Sequence, residues 1–128
     1  MTYTNLQLEK MQADLAPFLG RCGLLGYAAA KNMRAIRDEI SEYIEAKNAT
    51  IQELGEPVVD DAGNPTGQVE LRFDSPAFAE FQRRMAPLAE VRCEPRLLAI
   101  DAKDVMADMT GEEMLAVEWM LRFDDEDA

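Results

Sequence analysis

A chain of 128 residues, 48% of them hydrophobic, is long enough for one core of modest size and too apolar to be generically disordered. Acidic residues outnumber basic ones 25 to 13 and there is no histidine. The resulting net charge of −12 repels nucleic-acid phosphates and anionic lipid surfaces and leaves room for a basic partner. Ser–His and Cys–His nucleophiles are excluded by composition.

Thr4 or Asn5 can cap a first helix, since a short side-chain oxygen accepts from the orphan backbone N–H groups of the first turn. Leu8, Met11 and Leu15 follow at helical spacing until Pro17 and the glycines at 20, 23 and 26 interrupt it. Over residues 24–54 the periodicity predicts one long helix. Leu25, Ala29, Met33, Ile36, Ile40, Tyr43 or Ile44, Ile51 and Leu54 share a face; Arg34, Arg37, Asp38, Glu39, Glu42 and Glu45 lie opposite, and Lys47 interrupts the seam. Such a rod is about 45 Å long, against a radius of gyration of about 14 Å for a domain of this size. One end should therefore project or be covered by a second copy. Gly55 suits the helix end and Pro57 the stop beyond it.

Val58 and Val59 precede a turn-rich stretch at 60–67, after which Val69, Leu71 and Phe73 alternate with polar residues, the pattern of a β-hairpin. The loop lacks the glycine and carboxylate offsets of an EF-hand. Ser75-Pro76 opens a helix carrying Phe78, Phe81, Met85 and Leu88 to about residue 89. Residues 91–100 read as extended, with Pro95 restricting them to an edge or a bulge. Thr110 and Glu113 make a capping box. The last helix it opens carries Met114, Leu115, Val117, Trp119, Met120 and Leu121 and is apolar almost all round, which calls for burial on two sides or for an interface. An acidic tail occupies 124–128.

This order predicts a single helix-dominated α+β domain over residues 1–123. Its parts are a long central helix with helical-hairpin packing, a small antiparallel β-hairpin or sheet, and an apolar C-terminal helix. Cys22 and Cys93 stand far apart with no metal-ligand spacing, and both are expected to be reduced, buried, small apolar side chains. Asp60, Asp61 and Asp101 have no spacing specific to a metal. Met106, Met109, Met114 and Met120 near Trp119 fit either core filling or an adaptable binding surface. The expected site is a protein interface drawn from Met114, Val117, Trp119, Met120, Leu121, Ile51 and Leu54. No catalytic residue, cofactor or metal is expected. The expected partner is protein, first of all a second copy in a homodimer, with no nucleic acid. No run approaches the ~20 apolar residues of a membrane span, and the N-terminus lacks a signal-peptide pattern.

The segment Leu25-Gly-Tyr-Ala-Ala-Ala-Lys-Asn-Met-Arg-Ala-Ile, the segment Glu42-Tyr-Ile-Glu-Ala-Lys-Asn, the Asp-Ala-Gly-Asn turn and the closing Met109-Thr-Gly-Glu-Glu-Met-Leu-Ala-Val-Glu-Trp-Met resemble a family of small proteins of unknown function encoded by tailed phages and prophages. The resemblance covers most of residues 24–121 and brings no catalytic residues. It implies a virus-derived gene and a non-enzymatic assembly or accessory role in the cytoplasm of a bacterial host or in the virion. The alternatives are an acidic inhibitor that mimics nucleic acid to block a host defence enzyme, and a carboxylate–metal enzyme.

Overall fold

The computed structural model describes residues 1–123, so the acidic tail lies outside the described residues. Strand β1 (Tyr3–Thr4) runs directly into α1 (Asn5–Leu15), and a 3-10 turn at Ala16–Phe18 leads to α2 (Gly23–Glu39) and α3 (Ser41–Leu54). The hairpin β2 (Glu56–Val59) and β3 (Pro65–Glu70) precedes α4 (Ala77–Ala89), β4 (Arg92–Cys93) and β5 (Ile100–Asp101). Two 3-10 turns, Ala102–Asp104 and Met106–Asp108, then α5 (Gly111–Ala116), a 3-10 turn at Glu118–Met120 and β6 (Leu121–Arg122) complete the order. Strand pairs β1–β4 and β2–β3 are antiparallel, while β5–β6 is parallel. The helix-dominated α+β class read from the sequence is the class observed.

The chain forms two compact units, one of Met1–Ile40 with the chain from Arg92 onward, the other of Ser41–Val91. In the first, Thr4 is the helix cap. Its hydroxyl accepts from the Gln7 backbone N–H at 3.1 Å, and the Gln7 side-chain oxygen accepts from the Thr4 N–H at 2.8 Å. This fixes the helical phase that carries Leu8, Met11 and Leu15 inward, where they are buried. Leu25, Ala28, Ala29, Met33, Ile36 and Ile40 of the next helical stretch, with Ile100, Val105, Val117, Met120 and Leu121 from the chain's last third, are also buried. Each large apolar side chain so covered contributes about 1.5–3 kcal/mol relative to exposure. Gly26 is a packing requirement: a β-carbon there would sit 1.8 Å from the Arg21 carbonyl oxygen.

The expected long helix is instead two. Helical geometry stops at Ile40 (φ −102°, ψ 11°) and resumes at Ser41. The apolar period runs through the break almost in phase, so periodicity does not mark it. The terminal chemistry does. Asp38 and Glu39 place negative charge at the C-terminal end of α2, where the helix dipole disfavours it, whereas Glu42 in the first turn of α3 is favoured. Ile40 and Ser41 are also only middling helix formers. At 17 and 14 residues the pieces are about 25 and 21 Å long.

In the second unit, Asp60 builds the hairpin turn, its Oδ1 accepting from the Ala62 and Asn64 N–H groups at 3.0 and 2.8 Å. Gly63 supplies the positive φ of 85°. Ser75 Oγ accepts from the Ala77 N–H at 3.2 Å just ahead of α4, whose N-cap position falls on Pro76, one residue later than the sequence pattern predicts. Met85 and Tyr43 are buried, whereas Ile51, Leu54, Val69, Phe78 and Phe81 are half-buried. The Phe78 and Phe81 rings stack with centroids 5.8 Å apart. Glu80 pairs with Arg83 and Arg84 on α4, and Arg84 also pairs with Glu53 on α3.

The apolar C-terminal helix is not observed. Helix α5 has six residues, and the chain then passes through a 3-10 turn into β6 beside β5. One continuous helix would spread Leu115, Val117, Trp119, Met120 and Leu121 around its circumference. The tighter turn brings Val117, Met120 and Leu121 inward together and leaves Leu115 72% exposed. The capping box itself forms: Thr110 Oγ1 accepts from the Glu113 N–H at 3.2 Å and Glu113 Oε1 from the Thr110 N–H at 3.0 Å.

Candidate functional site

Asn32 sits on the apolar stripe of α2, three residues after Ala29 and four before Ile36, and is fully buried. A buried amide is costly unless its donors and acceptor are used. Asn32 uses them on the backbone of one residue. Its Nδ2 donates to the Leu98 carbonyl at 2.9 Å and its Oδ1 accepts from the Leu98 N–H at 2.6 Å, in the manner of a neighbouring strand. Nδ2 also lies 3.4 Å from the Met120 sulfur. The amide thereby fastens the 94–99 segment to α2.

Arg96, two residues before the fastening point, lines an open concavity of roughly 520 Å³ together with Tyr27, Lys31, Arg34 and Asp38 of α2. The four helical residues recur every three or four positions and form one stripe on the helix's outer side. Lys31 Nζ stands 5.7 Å from the centroid of the Tyr27 ring and 3.4 Å from its hydroxyl. Lys31, Arg34 and Arg96 have no ion pair among the described residues. Elsewhere in the same unit Arg21 is fully engaged. It pairs with Glu113, donates to the Asp108 carbonyl at 2.8 Å and lies over the Phe18 ring. The Thr110 backbone N–H, aided by Arg21, holds the Glu113 carboxyl below the usual carboxylate range.

The residues expected to form an interface divide. Val117, Met120 and Leu121 are buried side chains of the first unit's core, which corrects the expectation for these three: the 3-10 turn and β6 point them inward. Met114 and Trp119 are half-buried, and the Trp119 indole N–H is buried with no hydrogen-bond partner among the described residues. Ile51 and Leu54 are half-buried on α3. Val59, Phe73 and Leu88, which the sequence did not single out as interface residues, are exposed in that same unit, Phe73 at 84%.

Both cysteines are free thiols, but Cys22 is exposed and Cys93 half-buried, not the two buried side chains expected. Cys22 falls just before α2 starts, outside the apolar stripe. Burial, with Glu39 adding to it, pushes the Cys93 thiol up, so it stays protonated, and Cys93 Sγ lies 3.1 Å from Asn5 Oδ1. Asp60 is committed to its turn, and Asp101 accepts from Arg122 at 3.1 Å. Among the described residues no group of three or more carboxylate or thiol side chains is placed to hold a metal ion. No helix there is long and apolar enough to cross a membrane. Comparison with protein-family models, curated proteins and solved structures finds no match.

Sequence reasoning passed over Asn32 and Arg96. Asn32 carried a signal, a polar side chain at an apolar position of a strongly periodic helix. Arg96 carried none, because its placement depends on the Leu98 fastening 66 residues away in sequence from Asn32.

Proposed function

We propose that this chain is a non-enzymatic phage or prophage protein with an assembly or accessory role, acting through contacts with protein, the first partner being a second copy. The observation that carries the contact half of this reading is the apolar surface of the second unit. Val59, Phe73 and Leu88 are exposed, and Ile51, Leu54, Phe78 and Phe81 are only half covered. Apolar surface marks an interaction site where it forms a contiguous patch. The phage half rests on the sequence resemblance in the α2–α3 stretch, the Asp-Ala-Gly-Asn turn and the closing Met109–Met120 segment.

Light scattering on the purified full chain tests the contact, with Ile51→Asp and Leu54→Asp as variants. A dimer that dissociates in either variant while the circular dichroism is retained supports the reading. A strict monomer at all concentrations, combined with absence of the protein from virions and assembly intermediates by mass spectrometry, overturns it. The nucleic-acid-mimic alternative gains less from the structure. A mimic displays acids in regular rows, whereas the outer stripe of α2 carries Lys31 and Arg34 beside Asp38.

A further inference from the structure

In a chain with 25 acidic and 13 basic residues, every cation has carboxylates to choose from. Arg21, Arg72, Arg83, Arg84, Arg122 and Lys10 all take one. Among the described residues Lys31, Arg34, Arg37, Arg92, Arg96 and Lys103 do not, and of these Lys31, Arg34 and Arg96 line one concavity together with the 57% exposed Tyr27 ring. Two of the three are guanidinium groups, whose planar forks match phosphate oxygens two at a time. The third, an ammonium, lies by the aromatic face. Arg96 is held there by the two Asn32 hydrogen bonds to Leu98, so the loop it rides on is anchored to the helix carrying the other two cations.

We propose that this concavity binds a small anion bearing two or more phosphoryl groups, of nucleotide size. Its volume of roughly 520 Å³ falls within the ordinary range for small-ligand sites. The net charge of −12 selects for small size. A compact anion in the concavity feels mainly the charges that line it, three cations against one carboxylate, because exposed charges more than about 8 Å away are screened at physiological ionic strength. A long polyanion would run out over acidic surface. Asp38 lines the same concavity and repels an anion at its own end of the stripe. The phosphoryl groups therefore sit between Arg34, Lys31 and Arg96, and a ring attached to them lies toward Tyr27.

The experiment is calorimetric titration of the full chain with pyrophosphate and with ADP at low and physiological salt. Arg34→Gln, Arg96→Gln and Tyr27→Ala are compared with Lys103→Gln, a cation outside the concavity. Saturable binding of either ligand is expected, weakened roughly tenfold by each arginine change, weakened by salt and unaffected by Lys103→Gln. Loss of ADP affinity but not pyrophosphate affinity in Tyr27→Ala assigns the site to nucleotides. Equal behaviour of both ligands assigns it to the phosphoryl groups alone, within the same class. The side chains changed are exposed, so the fold is expected to survive, and amide chemical-shift mapping of the unmodified chain provides a second reading. No saturable binding, binding unchanged in both arginine variants, or shifts confined to residues away from Tyr27–Asp38 and Arg96 overturns the proposal.

Discussion

The two units bury their apolar side chains to very different depths. In the first, Leu8, Leu15, Phe18, Ile36, Val105, Val117 and Met120 are at most 2% exposed. In the second only Tyr43 and Met85 are buried, and its aromatic pair and α3 stripe are half covered. Its two helices are linked by the Arg84–Glu53 pair, with Glu80 pairing to Arg83 and Arg84 within α4, and its hairpin is held by side-chain bonds within the turn. Covered apolar surface gives stability that charge screening and protonation leave largely unchanged, whereas exposed ion pairs give little and give it conditionally. One chain thus contains a deeply packed half and a half whose apolar side chains are mostly only partly covered.

The sharpest way to break this comparison is a truncation in each core. Ile36→Ala is expected to cost about 2–5 kcal/mol in denaturant unfolding. Phe81→Ala, at a half-covered site, should cost only about 1–2 kcal/mol. Equal losses would mean the second unit is as tightly built as the first. Asn32→Leu comes next, because it strands the Leu98 N–H and carbonyl in a part-buried setting, at about 1 kcal/mol per group. Hydrogen exchange should show the Leu98 amide losing protection, and an amide that stays protected would refute the fastening role. Gly26→Ala forces a β-carbon against the Arg21 carbonyl and should cost about 1–3 kcal/mol by thermal unfolding.

The smallest effect sharpens the comparison by pH. Hydrogen bonds from Arg83 and then Arg84 lower the Glu80 carboxyl from 4.5 to about 2. The folded state therefore holds the proton less tightly than the unfolded chain. The stabilisation is complete above pH 4.5 and fades as pH falls toward 2. The difference in unfolding midpoint between the unmodified chain and Glu80→Gln should shrink across that window. A difference constant from pH 6 to pH 3 would show that the ion pairs contribute nothing.

Much of this was legible in the residues. The Thr4 and Thr110 caps, the Asp60–Gly63 turn, the start of α4 to within one residue and the inward faces of α1 and α2 follow from local chemistry that acts over three or four positions. The break at Ile40 was legible only in part: periodicity outweighed the acids that end α2 and the Ser41-Glu42 pair that begins α3. The fate of the last segment was not legible, since six apolar residues in eight positions fit a buried helix as well as a turn and a strand. The parallel pairing of Ile100 with Leu121 decides between them and is a tertiary event. The site on α2 shows the same limit. The Lys31 and Arg34 spacing is in the sequence, but Arg96 joins them through a loop with no pattern of its own.

The first unit is assembled from two stretches of chain with the whole of Ser41–Val91 between them. During synthesis its opening helices leave the ribosome long before their partners exist. Tyr3 waits for Cys93, Asn32 for Leu98 and Met120, and Arg21 for Glu113. The intervening unit has all of its own parts as soon as Val91 is free. At about 5–20 residues per second, the nascent protein spends seconds with its better-packed half unfinished and its looser half complete, an order of maturation opposite to the order of stability.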